Sequence, residues 1–336
     1  MNKQLAIFSI LALSLSFVLF GCGQEGATDK DFIPIIEAEL PKEPVQSFNF
    51  FKLHRMFEKG SKEADLTEKA QEIVNKRENP AGRLPEAIGY LNEVLNMLPK
   101  KSYGDCQKEV KAEKYPPAGV CNQWANIHAK ISEIYFFMGE SEKDIHKQQD
   151  YYFRGKEAGK EAGNYNPNNV AGLFTGGSNL GSWLGVSYKI WVPENQSWLS
   201  KRKAEWDHQE TLESTPGIIE GLLTRAEKIQ PNFYQGMLQL SLGHLYHKVD
   251  PKYLTNKGGF PLAERYINNG KRLMPGNHYG HYYAFQFYSN PKVNRREEAQ
   301  SEANWLIKNA DDPTFRKKHP ITAEIEKKAA LDYLNK

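Results

Sequence analysis

Residues 216–246 read PGIIEGLLTRAEKIQPNFYQGMLQLSLGHLY. Ile219, Leu223 and Ala226 are spaced so that all three fall on one face of a helix, and Pro231 ends that helix. Beyond the proline, Leu242-Gly243-x-x-Tyr246 sets a small residue between large ones, a notch that a crossing helix can enter. Both patterns recur. Ala87-Leu91-Val94-Pro99, Gly155-Gly159-Ala162-Pro167 and Ala263-Ile267-Gly270-Pro275 keep the same offsets of 4, 7 and 12. Ile131-Ser132-x-x-Tyr135, Leu180-Gly181-x-x-Leu184 and Tyr283-Ala284-x-x-Phe287 keep the large-small-x-x-large order. Ala, Leu, Glu and Lys in helical periods fill the body, and alternating β-branched runs are missing. The sequence therefore predicts an all-α fold of stacked antiparallel helix pairs.

The two patterns together form the halves of a tetratricopeptide-like repeat, an α-α superhelix in its regular form. The spacing is uneven. Pro231 to Gly243 and Pro275 to Ala284 are near the repeat's own spacing, whereas Gly181 to Ile219 spans 38 residues and carries Trp191, Trp198 and Trp206. The other reading of the same offsets is an ordinary helical bundle whose helices end in proline. Helices are expected over 63–76, 85–98, 122–138, 142–163, 170–187, 196–211, 216–229, 233–248, 261–273, 279–288, 297–309 and 322–334.

Composition narrows the function classes. In 336 residues, 40% are apolar and 25% charged, which suits a folded, soluble body. A formal net charge of +3 argues against a nucleic-acid binder. Three cysteines do not make a disulfide scaffold.

The N-terminus speaks to compartment. Lys3 precedes an apolar run from Leu5 to Phe20, and Leu19-Phe20-Gly21-Cys22 resembles a bacterial lipobox, with Cys22 as the residue cut and acylated. An uncleaved anchor helix is the alternative, although a run of sixteen residues is short for a membrane span. Residues 1–21 are read as a signal peptide, 22–45 as a lipidated polar tether, and 46–336 as a single helical domain. The chain is then a lipoprotein of the bacterial envelope facing the periplasm. Cys106 and Cys121 are left as a candidate disulfide, the default pair outside the cytoplasm, with two free thiols as the other reading.

From about residue 120 onward the chain resembles the T-component (TatT-type) lipoproteins associated with TRAP transporters. The likeness lies in Asn179-Leu180-Gly181-Ser182-Trp183, in Leu223-x-x-Ala226-x-x-Ile229-x-Pro231-x-Phe233-x-x-Gly236, and in Leu242-Gly243-x-x-Tyr246. Gly258-Gly259 with Ala263-x-x-Tyr266, then Tyr283-Ala284-x-x-Phe287 and the tail from Glu324-Ile325 to Tyr333-Leu334 continue it. The resemblance implies an all-helical lipoprotein with repeats arranged around a hydrophobic groove or pore. It implies a periplasmic solute-binding protein of a TRAP-type transporter as partner, a permease beyond it, and no enzyme activity or cofactor. The departures are the long N-terminal part with Cys106 and Cys121, and the Trp-rich insertion.

Candidate site residues follow. Tyr279, Tyr282 and Tyr283 belong to an aromatic-dense segment, and with Asn179, Trp183, Tyr234 and Tyr246 they are candidates to line a groove for a small hydrophobic ligand. Aromatics at these offsets also pack between helices, so a repeat core is the competing reading. His244-x-x-His247 and His278-x-x-His281 place two imidazoles on one helical face each, as metal ligands require. No Cys or carboxylate completes a set by motif, and hydrogen-bonded histidines are the alternative. The stretch 176–182, GGSNLGS, lacks the Lys-Ser/Thr ending of a phosphate-cradling loop and reads as close helix packing. No nucleophile elbow, zinc-protease motif or carboxylate pair stands out. Lys201-Arg202-Lys203, Arg295-Arg296 and Arg316-Lys317-Lys318 read as solvated faces or contacts to anionic lipid. The chain is expected to bind a protein partner, and a bilayer through acylated Cys22, without chemistry, and an oligomer is open to it. The runner-up is a tetratricopeptide scaffold lipoprotein in an envelope protein assembly.

Overall fold

The structure is a computed structural model that describes residues 29–38, 50–75, 83–111, 119–193, 196–312 and 322–335. The apolar run, Cys22 and Arg316-Lys317-Lys318 lie outside the described residues. The described residues are helical, with no strand among them. No described helix is long and apolar enough to cross a membrane. The helices are α1 (Ile33–Glu37), α2 (Lys62–Asn75), α3 (Leu84–Met97), α4 (Tyr103–Lys111), α5 (Val120–Ser141), α6 (Ile145–Tyr165) and α7 (Val170–Trp191). After them come α8 (Trp198–Asp207), α9 (Gln209–Ile229), α10 (Met237–Lys248), α11 (Gly259–Leu273), α12 (His278–Tyr288), α13 (Arg296–Ala310) and α14 (Thr322–Leu334).

The proline-ended pattern is realised in four helices. Helices α3, α6, α9 and α11 end at Met97, Tyr165, Ile229 and Leu273, so each of Pro99, Pro167, Pro231 and Pro275 comes two residues after its helix. Proline has no N–H for the next helical bond and disfavours helical backbone in the residue before it. The patterned faces are buried: Ala87, Leu91 and Val94, like Ile219, Leu223 and Ala226, show almost no surface.

The chain divides into two compact units, one holding the described residues up to Phe233 and the other running from Tyr234. In the first unit α5, α6 and α7 lie antiparallel. Ser132 Oγ donates to Gly155 O at 2.7 Å, and a Cβ placed on Gly139 would meet the Tyr152 ring. Across α6 and α7, Gly155 faces Asn179, Gly159 faces Gly176, and Ala162 faces Gly172. A Cβ on Gly159 would stand 2.3 Å from the Gly176 Cα, so the two backbones touch. Gly176 and Gly177, inside α7, thus sit at close helix contacts, Gly176 against Gly159 and Gly177 against Leu223. Helices α2 and α3 pack beside α5 around Leu66, Ile73, Leu91, Val94 and Ile127.

In the second unit α10 and α11 are antiparallel. Gly236 faces Leu273, Leu240 faces Gly270, and Gly243 faces Ile267 and Ala263. The notch at Gly243 thus receives a neighbouring helix. Helices α12, α13 and α14 follow against a core of Leu240, Tyr282, Tyr283, Phe285 and Leu306.

Three local expectations change. Part of the tether is structured: residues 29–37 form a 3-10 turn and α1, and they pack on α9 with Phe32 and Ile35 buried. Prolines and acids in 22–45 read as linker, yet Ile35 enters the space left by Gly163 and Ile36 that left by Gly221. Second, the helix expected over 196–211 stops at Asp207, and α9 runs from Gln209 straight through Pro216. Pro216 is buried inside α9 and does not begin it; the break falls at His208, whose ψ of 14° leaves the helical range. Third, α4 was not expected; its Cys106 is covalently joined to Cys121 on α5.

Candidate functional site

Two polar clusters, one per unit, hold most of the residues singled out in the sequence. In the first unit Asn179 has no exposed surface. Its amide nitrogen donates to Ser132 O and Thr175 O at 2.9 Å and to Ser132 Oγ at 3.1 Å. Gly155 makes this contact: its missing Cβ is the space the Asn179 amide fills. Asn179 therefore locks α5, α6 and α7 together. One turn on, Trp183 is half-buried, with the Lys156 ammonium 4.6 Å above its ring and Trp191 edge-on at 6.0 Å. Lys156 also lies 4.9 Å from the Phe153 ring, so a buried cation rests among aromatic faces. A second buried cation, Lys130, pairs with Glu133 at 2.7 Å within α5. Sequence reading missed both, because a lysine in a helical run reads as surface.

In the second unit the histidine pairs separate by chemistry. His278 Nδ1 lies 2.8 Å from Glu326 of α14, and both side chains are buried. His281 Nδ1 lies 2.7 Å from Glu302 of α13, its Nε2 faces the Pro275 carbonyl, and its ring stacks on Trp305 at 3.6 Å. Lys271 also bonds Glu302. Burial tends to raise the Glu302 carboxyl, but its bonds to His281 and Lys271 outweigh this and hold it below the usual value. His278 and His281 thus serve different carboxylates on different helices and do not converge. His244 and His247 stand nearly perpendicular, 6.4 Å apart between ring centres. His247 Nε2 accepts from Asn290, so its proton belongs on Nδ1. Burial holds His244 well below the ordinary imidazole value and His247 down to about 3, with the Lys248 charge adding to both. Among the described residues no three His, Cys, Asp or Glu side chains come together as a metal centre needs.

The candidate groove tyrosines are distributed as follows. Tyr246 is buried, stacked on Tyr266 at 5.7 Å, and accepts from Asn256. Tyr282 and Tyr283 belong to the core cluster, and Tyr283 packs against His244 at 4.8 Å. Tyr279 is half-buried and contacts His278 at 4.0 Å. Tyr234 is half-buried before α10, with a φ of 55°. Asn179 and Trp183 belong to one unit and the five tyrosines to the other. The most exposed aromatics are elsewhere: Trp198 and Trp206, at 69% and 76%, lie on α8. Arg295 of the second basic cluster is bonded to Glu264 and Glu298.

Comparison with known protein families, curated proteins and solved structures finds no match for this chain.

Proposed function

We propose that the chain is a lipid-anchored binding protein of the bacterial envelope, held at a membrane through Cys22 and facing the periplasm. The observation that carries this reading is the Cys106–Cys121 disulfide, because such bonds persist outside the reducing cytoplasm. It bears on compartment independently of the N-terminal residues. The binding role draws support from the stacked helix pairs, a construction that offers broad surfaces to a partner without supplying a reaction centre. The resemblance of 120–336 to TRAP-associated T components supplies the partner class: a periplasmic solute-binding protein, with a small hydrophobic ligand as cargo. Tetratricopeptide-like repeats belong to the same proposal and draw support from the four proline-ended helices.

Affinity purification of the chain from gently solubilised membranes, with mass spectrometry of what accompanies it, tests the partner. A solute-binding protein and its permease are expected. Recovery of an outer-membrane channel or assembly factors instead would replace this reading with an envelope scaffold. Labelling cells with a radioactive fatty acid tests the anchor: wild type takes up label and Cys22→Ala does not.

A further inference from the structure

The helix between α7 and α9 has a composition that the binding role does not use. Helix α8, WLSKRKAEWD, buries none of its residues. Trp198, Leu199 and Trp206 are 69–76% exposed, whereas no other large apolar side chain among the described residues exceeds 41%. At 3.6 residues per turn, Trp198, Arg202 and Trp206 succeed one another on one face with Leu199 beside them, all within about 100° of arc. Arg202 lies 5.5 Å over the Trp198 ring, so cation and indole share that face. Lys201 and Lys203 flank it; Glu205 falls beside Trp198 between Lys201 and Arg202, and Asp207 lies on the opposite side.

We infer that α8 is a second membrane contact, a helix lying in the interface with Trp198, Leu199 and Trp206 among the headgroups and Lys201, Arg202 and Lys203 on anionic lipid phosphates. Tryptophan prefers that depth, where its ring meets apolar chains and its N–H meets water, and cations on the same helix complement anionic lipid. The fold adds position. The described chain begins at a 3-10 turn whose Lys30 pairs with Glu210 at 2.7 Å, and Glu210 lies in the first turn of α9, just after α8. Cys22 precedes Asp29 by seven residues, a reach of at most about 25 Å. Where Cys22 is acylated, the chain is thus tied to the bilayer beside this helix. That last step rests on the lipoprotein reading; the composition and exposure of α8 do not.

The test uses the mature full chain purified from envelopes and mixed with vesicles of equimolar phosphatidylcholine and phosphatidylglycerol, plain or brominated near the headgroup end of the acyl chains. Brominated lipid is expected to quench a share of wild-type tryptophan emission that Trp198→Phe/Trp206→Phe has lost. Lys201→Glu/Arg202→Glu/Lys203→Glu should weaken that share, and more so in vesicles containing phosphatidylglycerol than in phosphatidylcholine alone. Equal fractional quenching of wild type and the double tryptophan variant overturns the inference. Protection of the two tryptophans from acrylamide only on adding an envelope protein, or only at raised chain concentration in detergent, also overturns it, in favour of a protein partner or a second copy. Intact-mass spectrometry of the purified chain reads the Cys22 anchor separately: a chain without acyl groups that still shows the tryptophan-specific quenching sinks the anchor and leaves α8 standing.

Discussion

His244 and His247 are enclosed as neutral rings, and His244 Nε2 and His247 Nδ1 meet no partner. Their folded values lie below the unfolded value of about 6.5. Below that pH the unfolded chain takes up protons that the folded chain refuses. Stability is therefore fully present above about pH 6.5 and falls as pH drops toward 3, by up to about 1.4 kcal/mol per pH unit for each ring. Denaturant midpoints measured across this window should fall with pH, and His244→Phe/His247→Asn should flatten the slope; an unchanged slope would mean that neither ring drives it. A second cost sits in α5. Glu133→Gln removes the carboxylate charge that faces the buried Lys130 ammonium. Loss of one partner from such a pair costs about 3 kcal/mol, which urea unfolding at neutral pH would register.

Among the helices, the contact between α6 and α7 is the least forgiving. Gly159→Ala pushes a methyl into the Gly176 backbone, and relief requires the helices to separate. A loss of about 1–3 kcal/mol is expected. Gly89→Ala is the control: nothing lies within 4 Å of its Cβ site on α3, so this variant should gain about 0.5–1 kcal/mol. Thermal melts of the two variants should move in opposite directions. These contacts show what sequence can convey. A face of Gly159, Ala162 and Gly155 closed by Pro167 is legible, because spacing and terminator are local. The α8–α9 junction was not. Pro216 reads as a first-turn residue, while the actual break at His208 has neither glycine nor proline to mark it. For the candidate site, hydrogen bonding was one reading of His278 and His281, but their partners were not legible. Their carboxylates, Glu326 and Glu302, lie on other helices, where no sequence spacing reports them. Asn179, a candidate for a groove within a stretch also read as close packing, joins three helices through its amide, and an asparagine in sequence does not reveal whether that amide meets solvent or a neighbouring backbone.

At the scale of the molecule, two compact units predict separable responses. The Cys106–Cys121 bond belongs wholly to the unit ending at Phe233. It closes a short loop, worth about 3 kcal/mol of unfolded-state entropy. Reduction should lower the melting transition of that unit and leave the transition of 234–336 in place, which calorimetry with and without reductant can distinguish. A single transition shifting as a whole would mean that the two units unfold together. The N-terminal strap on α9 adds a feature of timing. Arg225 donates to Ile36 O at 3.3 Å, to Ala38 O, to Pro167 O at 3.0 Å and to Asn168 Oδ1 at 2.5 Å, joining stretches as much as 189 residues apart. The stretch made first meets α6 through Ile35 and Asp31, but its backbone carbonyls find Arg225 only when α9 exists. Throughout synthesis of the intervening helices, residues 29–38 await their dock, and any enzyme that must work on the neighbouring N-terminus meets it before the fold has claimed it.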